Sequence, residues 1–112
     1  MDCIFCKIAG GEIPAKKVFE NDALVAFEDA NPKAPTHVLI IPRKHLGGLD
    51  LAVKEDAEML GECLLLAAEI ARQRNILDGY RTVYNVGPRS GQTVHHLHLH
   101  LLGGRDFSWP PG

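Results

Sequence analysis

Val94-His95-His96-Leu97-His98-Leu99-His100-Leu101-Leu102 is the stretch whose reading decides the fold. Three histidines alternate strictly with leucines, and successive side chains of an extended strand point to opposite faces. His96, His98 and His100 therefore share one face, about 6–7 Å apart at a rise of roughly 3.3 Å per residue. Leu97, Leu99 and Leu101 share the other face and look into a core. A helix would scatter the same histidines around its axis. Gly91 before the run and Gly103-Gly104 after it bound a segment of strand length. His95 falls on the leucine face, where it reads as incidental.

A row of imidazoles can bind a metal, shuttle protons near neutral pH, or attack a phosphorus or acyl centre. The plainer alternative is a solvated strand face that happens to carry histidine. Three in strict alternation, with no Lys, Glu or Thr among them, count against it.

The 112 residues suit a single domain, 1–112, with a modest core. A hydrophobic content of 46% and a charged content of 23% are ordinary for a soluble globular protein. A formal net charge of −2 argues against a nucleic-acid partner. The opening Met1-Asp2-Cys3-Ile4-Phe5-Cys6-Lys7 lacks a basic region followed by a long apolar run, so it does not read as a secretory signal. No segment reaches the ~20 apolar residues of a membrane span. The expected location is cytoplasmic, and three cysteines there argue against a disulfide framework.

In chain order, Asp2 is placed to cap a short helical turn reaching Lys7 or Ile8, which Gly10-Gly11 ends. Cys3 and Cys6 within it form a C-x-x-C pair. A redox pair would need a preceding strand. Half of a zinc site fits better, and two buried small hydrophobes remain the alternative. Val18–Glu20 and Ala23–Glu28 around Asn21-Asp22 read as a β-hairpin. Asp29–Pro35 is a proline-interrupted loop, and His37–Pro42 is a third strand, apolar enough to be central. From Lys54 to Asn75 apolar residues recur at helical spacing, with Cys63 on the core face. Leu65 and Leu66 widen that stripe and suggest a dimer contact. Tyr80–Asn85 is a fourth strand. The polar, glycine-rich loop Gly87–Thr93 can cradle an anion with its N–H groups, helped by the Thr93 hydroxyl. The order predicts an α+β domain with an antiparallel sheet.

His96-Leu97-His98-Leu99-His100-Leu101-Leu102 resembles the H-φ-H-φ-H-φ-φ motif of the histidine triad (HIT) family. The likeness extends through Asp2–Ile8, Glu12-Ile13-Pro14, Ala34–His37, Pro42–His45 and Gly91–Val94. The terminal Trp109-Pro110-Pro111-Gly112 is similar to the histidine triad nucleotide-binding branch. That resemblance implies a five-stranded antiparallel sheet with one long and one short N-terminal helix, the sheets joined across a homodimer. It also implies a purine nucleoside phosphoramidase, releasing AMP or GMP from 5′-phosphoramidates and aminoacyl adenylates. His98 would attack the α-phosphorus, with His100 and the Gly91-Gln92-Thr93-Val94 loop serving the phosphoryl oxygens. His37 and His96 would orient His98, and Thr93 would pass a proton to the departing amine. Asp29 would bind the ribose, and Ile4, Phe5, Ile8, Phe27, Ala30 and Leu39 would line the base pocket. Asn85 would lie near the phosphate, and Trp109 would reach the partner's site.

Members with an N-terminal C-x-x-C can hold structural zinc. Here the implied ligands are Cys3, Cys6, His45 and His96, and the chemistry itself needs no metal. Two positions depart from the family pattern. A histidine at 95 is unusual, and Ala30 stands where a larger Ile or Val is common, which would loosen contact with the base. A purine-nucleotide-binding adaptor with incidental hydrolysis would use the same pocket. A hydrolase with catalytic zinc on the triad is a third reading, disfavoured because no carboxylate lies within His96–His100.

Overall fold

The computed structural model describes residues 2–112. A short helix α1 (Ile4–Ala9) leads to the hairpin β1 (Lys17–Glu20) and β2 (Leu24–Glu28), then to β3 (Thr36–Pro42). The long helix α2 (Ala57–Gln73) follows, then β4 (Tyr80–Val83) and β5 (Leu99–Gly103). The five strands form one sheet in the order β1-β2-β3-β5-β4, and every neighbouring pair is antiparallel. This is the expected α+β architecture of one long and one short helix.

Strand β3 sits at the centre, and all seven of its residues are buried. Its unbroken apolar run follows from cover on both faces. Leu24, Ala26, Val38, Ile40, Leu99 and Leu101 pack on one face against Cys63, Ala67 and Ile70 of α2. Val25, Phe27, Leu39 and Ile41 pack on the other against Phe5, Ile8 and Ala9 of α1. The histidine face of the sheet is therefore roofed by α1. The hairpin turns where the Asn21 side-chain oxygen accepts from the N–H groups of Ala23 and Leu24, at 2.9 and 2.7 Å. Arg43 then ties the layers together, donating to the Asn21 carbonyl and to the Ala9 carbonyl at the end of α1, both at 2.7 Å.

Several boundaries differ from the sequence reading. Cys3, not Asp2, caps α1: its sulfur accepts from the Cys6 N–H at 3.3 Å. The α2 helix proper starts at Ala57, after a 3-10 turn over Lys54–Asp56. There the Asp56 carboxylate accepts from the Val53 N–H at 3.0 Å and from Lys44 Nζ at 2.9 Å. Strand β4 stops at Val83, short of Asn85.

The largest difference is in β5, which begins only at Leu99. The ladder cannot continue past Ile40 and Leu99 because Pro42 carries no N–H, and its carbonyl accepts from the His96 ring at 2.8 Å. The Leu97 N–H turns aside to the Leu46 carbonyl at 2.6 Å. Leu97, Leu99 and Leu101 nonetheless all face the core. His95 is exposed instead of lying on the leucine face.

Ile40, fully buried between β2, β5 and α2, tests the core. Ile40→Ala is expected to lower the unfolding free energy by about 2–5 kcal/mol, read as an earlier urea midpoint with an unchanged slope.

Candidate active site

The roof that α1 lays over the sheet leaves a cleft of about 860 Å³ at its open side. That volume suits a small-molecule ligand. His37 enters from β3, His100 from β5 and His98 from the extended segment just before β5. Ile4, Phe5 and Ile8 of α1 face Phe27 and Leu39 of the sheet across the cleft. Asp29 and Ala30 stand at the start of the loop after β2, and Thr93 and Val94 close the far side. Asn85, Gly91, Gln92 and Trp109 are not among the described residues lining it. Gln92 is buried and stitches its own loop, donating to the carbonyls of Gly47 and Val94 at 3.0 and 3.2 Å and accepting from the Gly87 N–H at 2.9 Å. Trp109 is 85% exposed. The sequence reading missed Ile13, Pro14, Ala15 and Lys16, which form one wall. Only Pro14, which keeps this connection extended, hinted at it.

The hydrogen bonds assign a tautomer to each of the three histidines lining the cleft. His98 Nδ1 lies 2.7 Å from the His96 carbonyl, which can only accept, so Nδ1 carries the proton. In the neutral ring the lone pair is then on Nε2. Phe5 stacks edge-on against the His98 ring at 5.1 Å between centroids and so limits its rotation. At His37, the Lys33 N–H donates to Nδ1 at 3.0 Å, which leaves the proton of the neutral ring on Nε2. Nε2–H points at His100 Nδ1, 2.9 Å away, with the Asp29 carboxylate at 3.4 Å. His100 Nδ1 therefore accepts, and its own proton sits on Nε2. The chain of donors runs one way: Lys33 to His37 to His100.

Charge follows the same pattern. Burial pushes His37 below the ordinary histidine value, with Asp29 opposing and Lys33 adding to the shift. His100 is pushed down to about 4, first by burial and then by His98 and His37, with Asp29 again opposing. Both rings are neutral at pH 7, so His100 offers a neutral N–H donor. Asp29, His37 and His100 also lie close enough to hold a metal ion, which supplies the carboxylate that His96–His100 itself lacks. Their hydrogen bonds oppose that use, because a metal on His37 Nε2 would need the proton moved to Nδ1, against the Lys33 N–H.

A second cluster lies behind Phe5. Donor atoms of Cys3, Cys6, His45 and His96 all fall within 4.8 Å of one another. His96 Nδ1 lies 3.3 Å from Cys3 Sγ, 3.5 Å from Cys6 Sγ and 3.2 Å from His45 Nδ1. Cys6 Sγ lies 3.4 Å from His45 Nδ1. Zinc bonds of about 2.3 Å to sulfur and 2.0–2.1 Å to nitrogen, at tetrahedral angles, give edges of about 3.3–3.8 Å, so the donors fit a metal ion of that size. His96 is fully buried, and its Nε2–H is committed to the Pro42 carbonyl, which leaves Nδ1 as the donor. His95 lines a small depression beside this cluster, with Asp2 and His45.

Residues 10–107 match the HIT domain family. A 14 kDa zinc-binding protein of Zea mays is 50% identical, over 97% of this chain and 87% of its own length. The adenylylsulfatase HINT1 of Arabidopsis thaliana is 45% identical, over 97% of this chain and 76% of its own. The crystal structure of a HIT family hydrolase from Legionella pneumophila superposes with a TM-score of 0.96 at 50% identity, covering 99% of this chain and all of that one.

The neutral histidines set a pH dependence. As pH falls below about 6.5 the unfolded chain takes up protons that folded His37 and His100 refuse, for His100 down to about 4, so stability falls through that window. Urea midpoints measured between pH 7 and 4 are expected to drop, and the drop is expected to be smaller in His100→Asn. An equal drop in both proteins would place its cause elsewhere.

Proposed function

The chain belongs to the HIT domain family, and on that premise we propose that it is a nucleotidyl hydrolase working through a covalent bond to His98. The single observation that carries the reading is the hydrogen bond of His98: its Nδ1 is held by the His96 carbonyl, which in the neutral ring leaves Nε2 as the lone pair of a residue lining the cleft. A neutral imidazole so held is a competent nucleophile at pH 7.

In this reading the substrate is a purine nucleoside 5′-phosphoramidate or an aminoacyl adenylate. Ile4, Phe5, Ile8, Phe27 and Leu39 enclose the base, with Ala30 leaving extra room, and Asp29 accepts from the ribose hydroxyls. His98 Nε2 forms a bond to the α-phosphorus as the bond from phosphorus to the leaving group breaks. The amine departs with a proton passed by Thr93. Water then attacks phosphorus, nucleoside monophosphate leaves, and His98 is restored. His100 Nε2–H and the N–H groups of Thr93 and Val94 stabilise the charge on the phosphoryl oxygens. The name of the Arabidopsis relative makes adenylyl sulfate a further substrate to assay, since the same attack would release sulfate.

Cys3, Cys6, His45 and His96 would hold structural zinc, as the donor set and the name of the maize relative support. Bound zinc would cross-link α1 to the segment before β5. The homodimer is part of the same proposal. Strand β4 is an edge of the sheet; of the expected contact residues Leu65 is 72% exposed, while Leu66 packs against the core and Leu64, 47% exposed, takes its place on the outer face of α2. Pairing there would bring Asn85, the Gly91-Gln92 turn and Trp109 towards the partner. Among the described residues no helix is long and apolar enough to cross a membrane.

AMP release from adenosine 5′-phosphoramidate is expected to fall at least about 1,000-fold in His98→Ala. Equal activity in the two proteins would overturn the assignment. No turnover in a folded wild type that binds AMP would favour a nucleotide-binding adaptor. Stripping zinc with a chelator is expected to lower the melting temperature by several degrees while measurable turnover persists. Complete loss of turnover in a still-folded, zinc-free protein would point to a metal-held water instead.

A further inference from the structure

The turn after β5 reaches back to the catalytic histidines through Arg105. Gly104 has a φ of +90°, and a Cβ there would lie 2.9 Å from the Pro35 side chain. Only glycine lets the chain pass so close to the Asp29–Pro35 loop. Directly beyond it, Arg105 Nε donates to the Lys33 carbonyl at 3.0 Å. The guanidinium is itself held: it lies 4.3 Å over the Phe107 ring, and its Nη1 donates to the Asp106 carbonyl at 3.1 Å. Arg81 stacks on the same ring at 4.9 Å and donates to the carbonyls of Ser108 and Pro111, fixing the tail that carries Phe107.

Lys33 is the residue whose N–H holds His37 Nδ1, at 3.0 Å. Its neighbour Pro32 and nearby Pro35 have no N–H to offer in its place. We propose that Arg105 is a positioning residue: by anchoring Lys33 it keeps His37 as the Nε2–H tautomer that His100 requires. Released from the Lys33 N–H, His37 can carry its proton on Nδ1. Nε2 then presents a lone pair to the Asp29 carboxylate and to His100 Nδ1. His100 must turn its proton inward, and the cleft loses its Nε2–H donor. The catalytic consequence rests on the hydrolase reading above; the tautomer does not.

Long-range proton–nitrogen NMR of the imidazoles reads this directly, in wild type, Arg105→Met and Arg105→Lys. Methionine keeps an unbranched stem and removes the donor, and lysine restores one donor. In wild type His37 is expected to show an unprotonated Nδ1 and a protonated Nε2. In Arg105→Met that signature is expected to be lost or mixed, and kcat to fall about five- to tenfold with KM changed less than twofold. Arg105→Lys is expected to recover both in part, and it carries the comparison by itself if Arg105→Met does not fold. An unchanged His37 signature in a folded variant overturns the proposal, whatever happens to kcat. So does a wild-type His37 protonated on Nδ1. If wild type hydrolyses no nucleotide but the signature shifts as expected, positioning stands and the hydrolase reading fails.

Discussion

The buried ring of His96 is the joint on which the molecule depends. Its Nε2–H occupies the Pro42 carbonyl at 2.8 Å, which helps to end the β3–β5 ladder at Leu99. Its Nδ1 meets Cys3 and Cys6 at the start of α1, and so draws that helix over the sheet. Its backbone carbonyl receives His98 Nδ1–H and thereby aims the His98 lone pair. One residue thus ends a strand, seats a helix and orients the neighbouring imidazole. A polar ring buried this completely is tolerable because every polar atom on it has a partner.

The roof also sets the electrical character of the site. Phe5 packs edge-on against both His98 and Phe27, so the helix that Cys3 caps also covers part of the histidine face. Burial is the leading reason that His37 and His100 resist protonation. Neutral rings can each donate on one side and accept on the other, so a directional chain of hydrogen bonds can form. Charged rings would be donors on both sides, and the chain would fail between His37 and His100.

Much of this was legible in the residues. The alternation of His and Leu gave the correct faces from Leu97 to Leu101, because period-two patterning reports burial even where the ladder stops. The apolar run of β3 marked the central strand, and the C-x-x-C pair marked one cluster. What remained hidden depends on tertiary contacts. That β5 starts at Leu99 turns on a proline 57 residues earlier, and that Cys3 caps α1 turns on its sulfur facing inward. The hydrogen bond of Lys33 to His37 comes from a backbone N–H in a loop whose composition signals only irregularity. Lys16 and the extended wall around it have no periodicity to read.

That wall has a consequence for how the cleft meets its ligand. Lys16 is the one Lys or Arg among the described residues lining it, and it lies exposed at the rim. Glu28 beside it is engaged by both terminal nitrogens of Arg74. With His37 and His100 uncharged, an anion seated here would be held by fixed dipoles and surface contact instead of by a field reaching into solvent. Screening by dissolved salt acts on long-range attraction between exposed charges and hardly on contacts of this kind. Among the described lining residues only Lys16 can draw an anion from a distance, so salt is expected to slow an anion's arrival more than to loosen its hold once seated.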